Sequence, residues 1–344
     1  MTTGMKKFTK GCLYTALVIF IIGAVLCGVG GLLGGFRILD SMDIREVTGI
    51  PLIYRLGPNG IEYGFRFWGD NDIDWRGYED WQRINANEGE RALALTADTL
   101  RNLYIEVGAC ELHIEESEDE YVRLAVNGNA DSLRYYVEEG GLRIVRKSDW
   151  TWQWVGINTV SGEVYLYLPK ETSLDYVDIE LGAGDMESIG LTTRDANIKV
   201  GAGTMGIESL TADNGAILSV GAGKIRIKNL VCRATDLDIG AGEMDVDNAE
   251  VAQDVNIDLG MGNVSIGGII AGNLNVDCGM GNVILDMDDA EQDHNYKIDC
   301  SMGTVKIGSH SYSGMSSSQT INNGSSSDYD IDCSMGNVTV KFAQ

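Results

Sequence analysis

Apolar and polar residues alternate along most of the chain from about residue 105 onward. Between Asp236 and Val246, every second residue is apolar on both sides of the corner Gly240-Ala-Gly242. Alternation with a period of two is typical of half-buried strands, so the residues before and after the corner predict one short strand each. The two glycines predict a sharp turn with positive φ, a conformation that glycine adopts without steric cost.

The Gly-containing corner recurs at a nearly constant spacing. Successive copies are 19, 20, 19, 20, 19, 22 and 33 residues apart. The copies begin at Gly182, Gly201, Gly221, Gly240, Gly260, Gly279, Ser301 and Ser334, with a diverged copy at Gly108. A fixed period of about 20 residues is typical of a solenoid, whose units bury apolar surface by stacking on their neighbours. The pattern therefore predicts an all-β fold, a parallel β-solenoid of two or three short strands per coil over residues 101–344.

Two neighbouring coils carry opposite charges at matching outward positions. If the coils stack in register about 4.8 Å apart, three basic residues of one coil face three acidic residues of the next. The expected pairs are Lys224 with Glu243, Arg226 with Asp245, and Lys228 with Asp247. A slip of one residue would remove all three pairs, so the charges indicate the alignment of the coils.

The segment before the repeats predicts a membrane anchor. Residues 11–36 contain no charged side chain, and this run exceeds the roughly 20 residues that span a bilayer. Three lysines precede it within residues 1–10, which the positive-inside rule places in the cytoplasm. The chain is thus expected to be a single-pass protein of the cell membrane with its C-terminal domain outside the cytoplasm. Overlapping GxxxG spacings at Gly30/Gly34 and Gly31/Gly35 add a homodimer through this helix as an alternative.

Residues 37–100 lack the repeat and are predicted to form a membrane-proximal segment that caps the first coil. Near the other end, residues 309–330 are rich in Ser, Asn and Gly and predict a flexible loop inserted in the solenoid. After this loop, the chain is expected to re-enter for one final strand, Asn337–Phe342. Trp150, Trp152 and Trp154 alternate and share a face, which leaves open whether they stack on a glycan or cover the end of the core.

Composition limits the partners. The chain has 26 basic and 51 acidic side chains and a formal net charge of −25, which argues against binding nucleic acid. Cations, basic proteins or neutral glycans are the expected partners, and a soluble self-repelling surface is the alternative reading. The three histidines, at 113, 294 and 310, suggest no Ser/His/Asp or Cys/His arrangement, so the chain is not expected to be an enzyme.

Two columns of residues stand out near the C-terminal corners. Cys278, Cys300 and Cys333 take the position before the corner that aliphatic residues occupy in earlier coils, so they are expected to pack in the core. One residue earlier lie outward-facing aspartates, of which Asp238, Asp258 and Asp277 are the safest candidates for a stacked row. Such a row is either a solvated face or a weak Ca²⁺ site, because Ca²⁺ prefers several carboxylate oxygens. No other cofactor is expected.

The sequences Leu103-Tyr-Ile-Glu-Val-Gly-Ala-Cys-Glu-Leu-His-Ile114 and Glu163-Val-Tyr-Leu-Tyr-Leu-Pro-Lys170, with the repeated Gly-Ala-Gly units, resemble the bacterial "putative adhesin" β-strand-repeat family. The resemblance covers roughly residues 100–344. It implies a membrane-attached surface solenoid, often found beside envelope-stress signalling systems, without catalytic activity or an agreed functional site. The expected function is adhesin-like binding or scaffolding of an unknown surface protein or glycan. The alternatives are an accessory protein of envelope-stress signalling and a glycan-active enzyme.

Overall fold

The computed structural model describes residues 52–57, 60–65, 82–84, 89–108, 110–128, 133–146, 162–313 and 317–343. Within these residues the regular structure is almost entirely strand, as the alternation predicts, with one 3-10 turn at Glu291–Asp293. No helix in these ranges is long and apolar enough to cross a membrane. The predicted membrane segment 11–36, the tail 1–10 and the three alternating tryptophans lie outside the described residues.

The strands of the described residues form two sheets. The smaller sheet pairs Leu52–Gly57 with Gly60–Phe65. The N-terminal strands of the large sheet are Gln82–Arg83, Arg91–Thr96, Asn102–Val107, Glu111–Glu116, Tyr121–Gly128, Leu133–Glu138, Gly141–Arg146 and Gly162–Leu168. Its central strands are Ser173–Leu181, Asp185–Ser188, Leu191–Val200, Thr204–Val220, Lys224–Ile239, Glu243–Val251, Val255–Leu259, Asn263–Ile270, Leu274–Cys278 and Asn282–Met287. Its C-terminal strands are Asn295–Cys300, Thr304–Ile307, His310–Ser313, Ser317–Ile321, Asp328–Cys333 and Asn337–Phe342.

Each central coil has three arms that pair in parallel with the same arms of the neighbouring coils. In one coil, the first arm is 215–220, the second arm follows the Gly-Ala-Gly corner at 224–227, and the third arm is 229–232. Because strand side chains alternate between faces, every second residue of an arm points into the coil and stacks on its counterparts above and below. The predicted parallel stacking of repeated β-coils is confirmed.

The inward residues form continuous buried columns. Immediately before the corner, the column contains Val200, Val220, Ile239 and Leu259 and then three cysteines. Cys278, Cys300 and Cys333 are at most 2% exposed and unbridged, so their predicted core position is confirmed.

The outward charges also lie in the predicted register. Lys224 Nζ is 3.0 Å from Glu243 Oε1 and 2.8 Å from Asp245 Oδ2. Arg226 pairs diagonally with Asp247 at 3.9 Å, whereas Lys228 pairs with Glu208 on the preceding coil. The expected alignment of the coils is therefore confirmed, although Arg226 and Lys228 pair with other acidic residues than the expected ones.

The predicted conformation of the corner glycines is wrong. Among the described residues, the glycines with positive φ lie outside the Gly-x-Gly corners. A Cβ added to Gly184 would lie 1.9 Å from the carbonyl oxygen of Cys110, and one added to Gly262 would lie 2.1 Å from that of Gly242. The second glycine is needed because the corners of adjacent coils stack backbone on backbone and leave no room for a side chain.

The C-terminal coils do not stack in sequence order. Asp328–Cys333 pairs in parallel with Leu274–Cys278 on one side and with Asn295–Cys300 on the other. In the second arm, Asn337–Phe342 likewise lies between Asn282–Met287 and Thr304–Ile307. The final strand is thus where the sequence predicts it, but the last coil occupies a slot between two earlier coils.

The prediction of a flexible loop over residues 309–330 is wrong for much of that segment. His310–Ser313 and Ser317–Ile321 are antiparallel strands that cover Thr304–Ile307 and Asn295–Cys300 at the end of the stack. The side chain of Asn323 then donates to the His294 carbonyl, and Asn295 accepts from the backbone of Ser325. The Ser/Asn/Gly composition supplies these hydrogen bonds and the terminal strands, which carry the chain back to its slot.

The N-terminal end of the stack has the same out-of-order arrangement of coils and the same antiparallel cover. Gly141–Arg146 and Gly162–Leu168 flank Asn102–Val107 and Glu111–Glu116 in parallel, on the side away from the central coils. Antiparallel strands then cover this end: Leu133–Glu138 pairs with Gly141–Arg146, and Tyr121–Gly128 pairs with Gly162–Leu168. Strands from the predicted capping segment, including Arg91–Thr96, pair further out.

Candidate functional site

Five aspartates form one outward column on the first arms of adjacent coils, here named the acidic column. In spatial order they are Asp238, Asp258, Asp277, Asp332 and Asp299. Neighbours in this order are direct register partners, so their Cα atoms are about 4.8 Å apart. The sequence predicts the column, but the structure places Asp332 between Asp277 and Asp299 because the last coil is inserted there.

The acidic column is crowded with like charge. Desolvation raises the pKa of Asp258, and the neighbouring Asp238 raises it further. Desolvation followed by repulsion from a neighbour also raises the pKa of Asp277 and Asp332. Among the described residues, the cation in ion-pair range of the column is Lys297, which lies 4.0 Å from Asp299. Lys297 also partly offsets the raised pKa of Asp332, and no further cation of the described residues forms an ion pair with the column.

The structure brings Asp238, Asp258 and Asp277 into one row but does not converge them. Their strands run parallel, so the carboxylates leave the sheet side by side. No group of three or more His, Cys, Asp or Glu side chains in the described part of the chain is arranged to hold a metal ion. Weak Ca²⁺ binding between neighbouring carboxylates stays a prediction.

Four methionines form a second outward row, here named the methionine row, at the corners of the same coils. In spatial order they are Met261, Met280, Met335 and Met302, which are 62%, 53%, 50% and 67% exposed. Backbone bonds join the rungs: Met280 N donates to Gly260 O, Met335 N to Gly279 O, and Met302 N to Ser334 O. In the preceding coils this position holds alanine, as at Ala222 and Ala241. Each methionine follows an aspartate of the acidic column by three residues.

A buried Ser–His–Asp cluster was not predicted from the sequence. His294 is 2% exposed, with Nδ1 2.8 Å from Ser327 Oγ and Nε2 2.9 Å from Asp289 Oδ2. Ser327 lies 33 residues after His294 in the sequence. The two residues meet because the inserted coil begins directly after Ser327. No local motif could have shown this contact.

The cluster of Ser327, His294 and Asp289, here named the pin, has a structural role. Ser327 Oγ donates to the Gly272 carbonyl at 2.6 Å, so it accepts from His294 Nδ1–H and its proton faces no open site. The ring centroid of His294 lies 4.0 Å from that of Tyr329, on which it stacks, and 6.0 Å from that of Phe342. These contacts join the start of the inserted coil to the coils on both sides.

A family model described as Toastrack DUF4097 matches residues 100–341. The chain belongs to the Toastrack family. The Toastrack match begins just before Asn102–Val107 and ends within Asn337–Phe342, so it covers both out-of-order ends of the stack. The resemblance to a putative-adhesin β-strand family, inferred from the sequence, is confirmed.

Several solved structures are similar to this Toastrack chain at low identity. A putative adhesin from Bacteroides fragilis is 12% identical, with 75% of this chain and 100% of that chain covered and a TM-score of 0.47. A putative lipid binding protein from Parabacteroides distasonis is 14% identical over 75% and 99% of the chains, with a TM-score of 0.38. A putative cell adhesion protein from Clostridium sporogenes is 13% identical over 74% and 99%, with a TM-score of 0.26. No curated protein matches the chain.

Proposed function

We propose that this Toastrack protein is a non-catalytic, adhesin-like binding or scaffolding protein displayed at the cell surface. The observation that carries the proposal is one exposed pattern repeated on four adjacent coils, an aspartate followed three residues later by a methionine. A surface that repeats every ~4.8 Å suits an elongated partner that contacts several rungs at once. Small substrates are instead held in concave pockets with convergent polar groups.

The buried serine and cysteines are not suited to nucleophilic catalysis. Ser327 is buried, and its hydroxyl proton is committed to a backbone carbonyl, so it is not available as a nucleophile. Burial raises the pKa of the Cys232 thiol to about 11 and that of Cys333 to about 12. These cysteines remain as thiols at neutral pH, whereas nucleophilic catalysis requires the thiolate.

Attachment to the cell membrane by residues 11–36 is part of the proposal. Its support is the uncharged run and the lysines at 6, 7 and 10. In this arrangement the Toastrack coils lie outside the cytoplasm, where they reach surface proteins or glycans.

The test is chemical cross-linking on intact cells that carry the full chain, followed by identification of the cross-linked molecules. A matched variant replaces residues 11–36 with an unrelated membrane-spanning sequence. An adhesin-like role predicts that the same surface molecules are cross-linked by both chains.

Two results would overturn the proposal. Loss of every partner in the variant would favour the signalling alternative, because a signalling accessory needs a partner within the membrane. Cleavage of cell-surface polysaccharide by the purified chain would favour the glycan-active enzyme.

A further inference from the structure

The methionine row is a continuous exposed apolar strip. Its four side chains lie on adjacent coils, and each is half exposed or more. Contiguous apolar surface on a soluble domain marks a site of interaction, whereas isolated exposed apolar residues are ordinary. Methionine suits such a site because its unbranched, polarizable side chain adapts to the partner.

The spacing of the strip selects the kind of element that can lie along it. The rungs are about 4.8 Å apart. An amphipathic α-helix lying parallel to the stack presents an apolar residue about every 5 Å, because positions three and four residues apart alternate at 1.5 Å rise per residue. An extended strand presents same-face residues about 6.7 Å apart. The spacing of apolar residues on a helix therefore matches the spacing of the four methionines, whereas the spacing on a strand does not.

The acidic column determines the charge of that helix. It runs beside the methionine row for the whole length of the row and extends one rung further, to Asp238. Cationic side chains on one flank of the helix would lie over carboxylates that have no ion-pair partner among the described residues at Asp258, Asp277 or Asp332. A second copy of this chain would bring two acidic columns together, and an anionic lipid surface would also be repelled.

We propose that the methionine row and the acidic column together bind a basic amphipathic helix of another protein. The apolar stripe of the helix packs on Met261, Met280, Met335 and Met302, and lysines or arginines on one flank lie over the aspartates. This inference rests on the proposed binding function and names its partner class. Because the last coil is inserted between its neighbours, Met335 and Asp332 form the third of the four rungs that carry both an aspartate and a methionine.

The experiment measures binding of a synthetic helix to the full chain by fluorescence anisotropy. The peptide carries leucines at helical spacing with lysines along one flank, and a scrambled peptide of equal composition is the control. The double variant Met280→Ala/Met335→Ala should weaken binding about tenfold or more, because two central contacts are lost. Alanine occupies the same corner in other coils, so this variant is compatible with the fold.

Two further variants separate loss of the site from loss of structure. Ile269→Ala removes an exposed apolar residue from the third arm and should leave binding unchanged. Ala241→Met adds a fifth rung next to Asp238 and should tighten binding of a longer peptide, a gain that misfolding cannot produce.

The proposal is overturned if the scrambled peptide binds equally well, or if Met280→Ala/Met335→Ala binds like the unchanged chain. It also fails if Asp277→Asn/Asp332→Asn binds as tightly as the unchanged chain at low salt. In these cases cross-linking to other surface molecules would still support the proposed function, so the two failures are distinguishable.

Discussion

At the scale of single residues, the structure shows why one residue type is needed at the corner. Alternation alone predicts which residues point inward, and it places Cys278, Cys300 and Cys333 in the core. It does not predict why Gly262 is glycine, because the reason is the carbonyl of Gly242 on the neighbouring coil and not the local φ. The sequence of a single coil does not predict its contacts with the neighbouring coils.

The corner contact predicts the effect of adding one methyl group. Gly262→Ala should lower the free energy of unfolding by about 1–3 kcal/mol, because the Cβ must push two backbones apart. Urea unfolding of the full chain measures this change. The control is Gly190→Ala, whose Cβ would lie 3.6 Å from the nearest atom and should change stability little. Equal midpoints for the two variants would show that the corners are not closely stacked.

At the scale of elements, the order of the coils is what the sequence leaves undetermined. The corner sequences Asp277-Cys-Gly-Met-Gly281, Asp299-Cys-Ser-Met-Gly303 and Asp332-Cys-Ser-Met-Gly336 are nearly identical, so each fits the same slot by pattern. The 33-residue step looks like a loop because the serines and asparagines of the terminal strands and pin do not alternate with apolar residues. The sequence predicts which aspartates form the acidic column, but it does not predict their order along the stack.

The pin predicts which hydrogen bond holds the inserted coil. Ser327→Ala removes the donor to Gly272 and leaves His294 Nδ1–H without its acceptor. An unsatisfied buried polar group costs about 1–3 kcal/mol, so hydrogen exchange in Asp328–Cys333 should accelerate about 5- to 160-fold. Ser318→Ala, on an exposed position of a terminal strand, is the control. Unchanged exchange in Asp328–Cys333 would mean that the pin is not what holds this coil.

The acidic column predicts that the free energy of unfolding depends on pH. Because the folded state raises the pKa of Asp258, the free energy of unfolding falls as pH rises from the unfolded pKa of about 3.9 through the raised value. Asp258→Asn should therefore stabilise the chain at pH 7 by a few tenths of a kcal/mol, since exposed pairs interact weakly. The gain should vanish near pH 3, where both states are protonated. Asp213→Asn, an exposed position outside the column, is the control for urea unfolding at the two pH values. A gain that persisted at pH 3 would show that the desolvated and repelled charge of Asp258 is not its cause.

At the scale of the whole molecule, net charge and the repeat period predict the class of protein but not its surface. A net charge of −25 and a period of about 20 residues indicate a negatively charged β-stack. The order of the rungs in the methionine row and the acidic column depends on the spatial order of the last three coils. That order is visible only in the three-dimensional fold.

Added cations test the charge of the molecule as a whole. Salt should raise the melting temperature by screening the net charge. If neighbouring carboxylates at Asp238, Asp258 and Asp277 bind Ca²⁺ weakly, millimolar Ca²⁺ should raise it further than NaCl of matched ionic strength. Equal shifts would show that the column is a solvated face without a cation site.

The placement of the last coil between two earlier ones sets the order of all the rungs at this end of the stack. Its most direct test is a methyl–methyl NOE measurement on the buried column of Val276, Ile331 and Ile298, whose neighbours are register partners about 4.8 Å apart. The structure predicts strong NOEs from Ile331 to both Val276 and Ile298, and a weak or absent NOE between Val276 and Ile298. A strong NOE between Val276 and Ile298, with none from Ile331 to Val276, would show that the coils stack in sequence order and would contradict this placement.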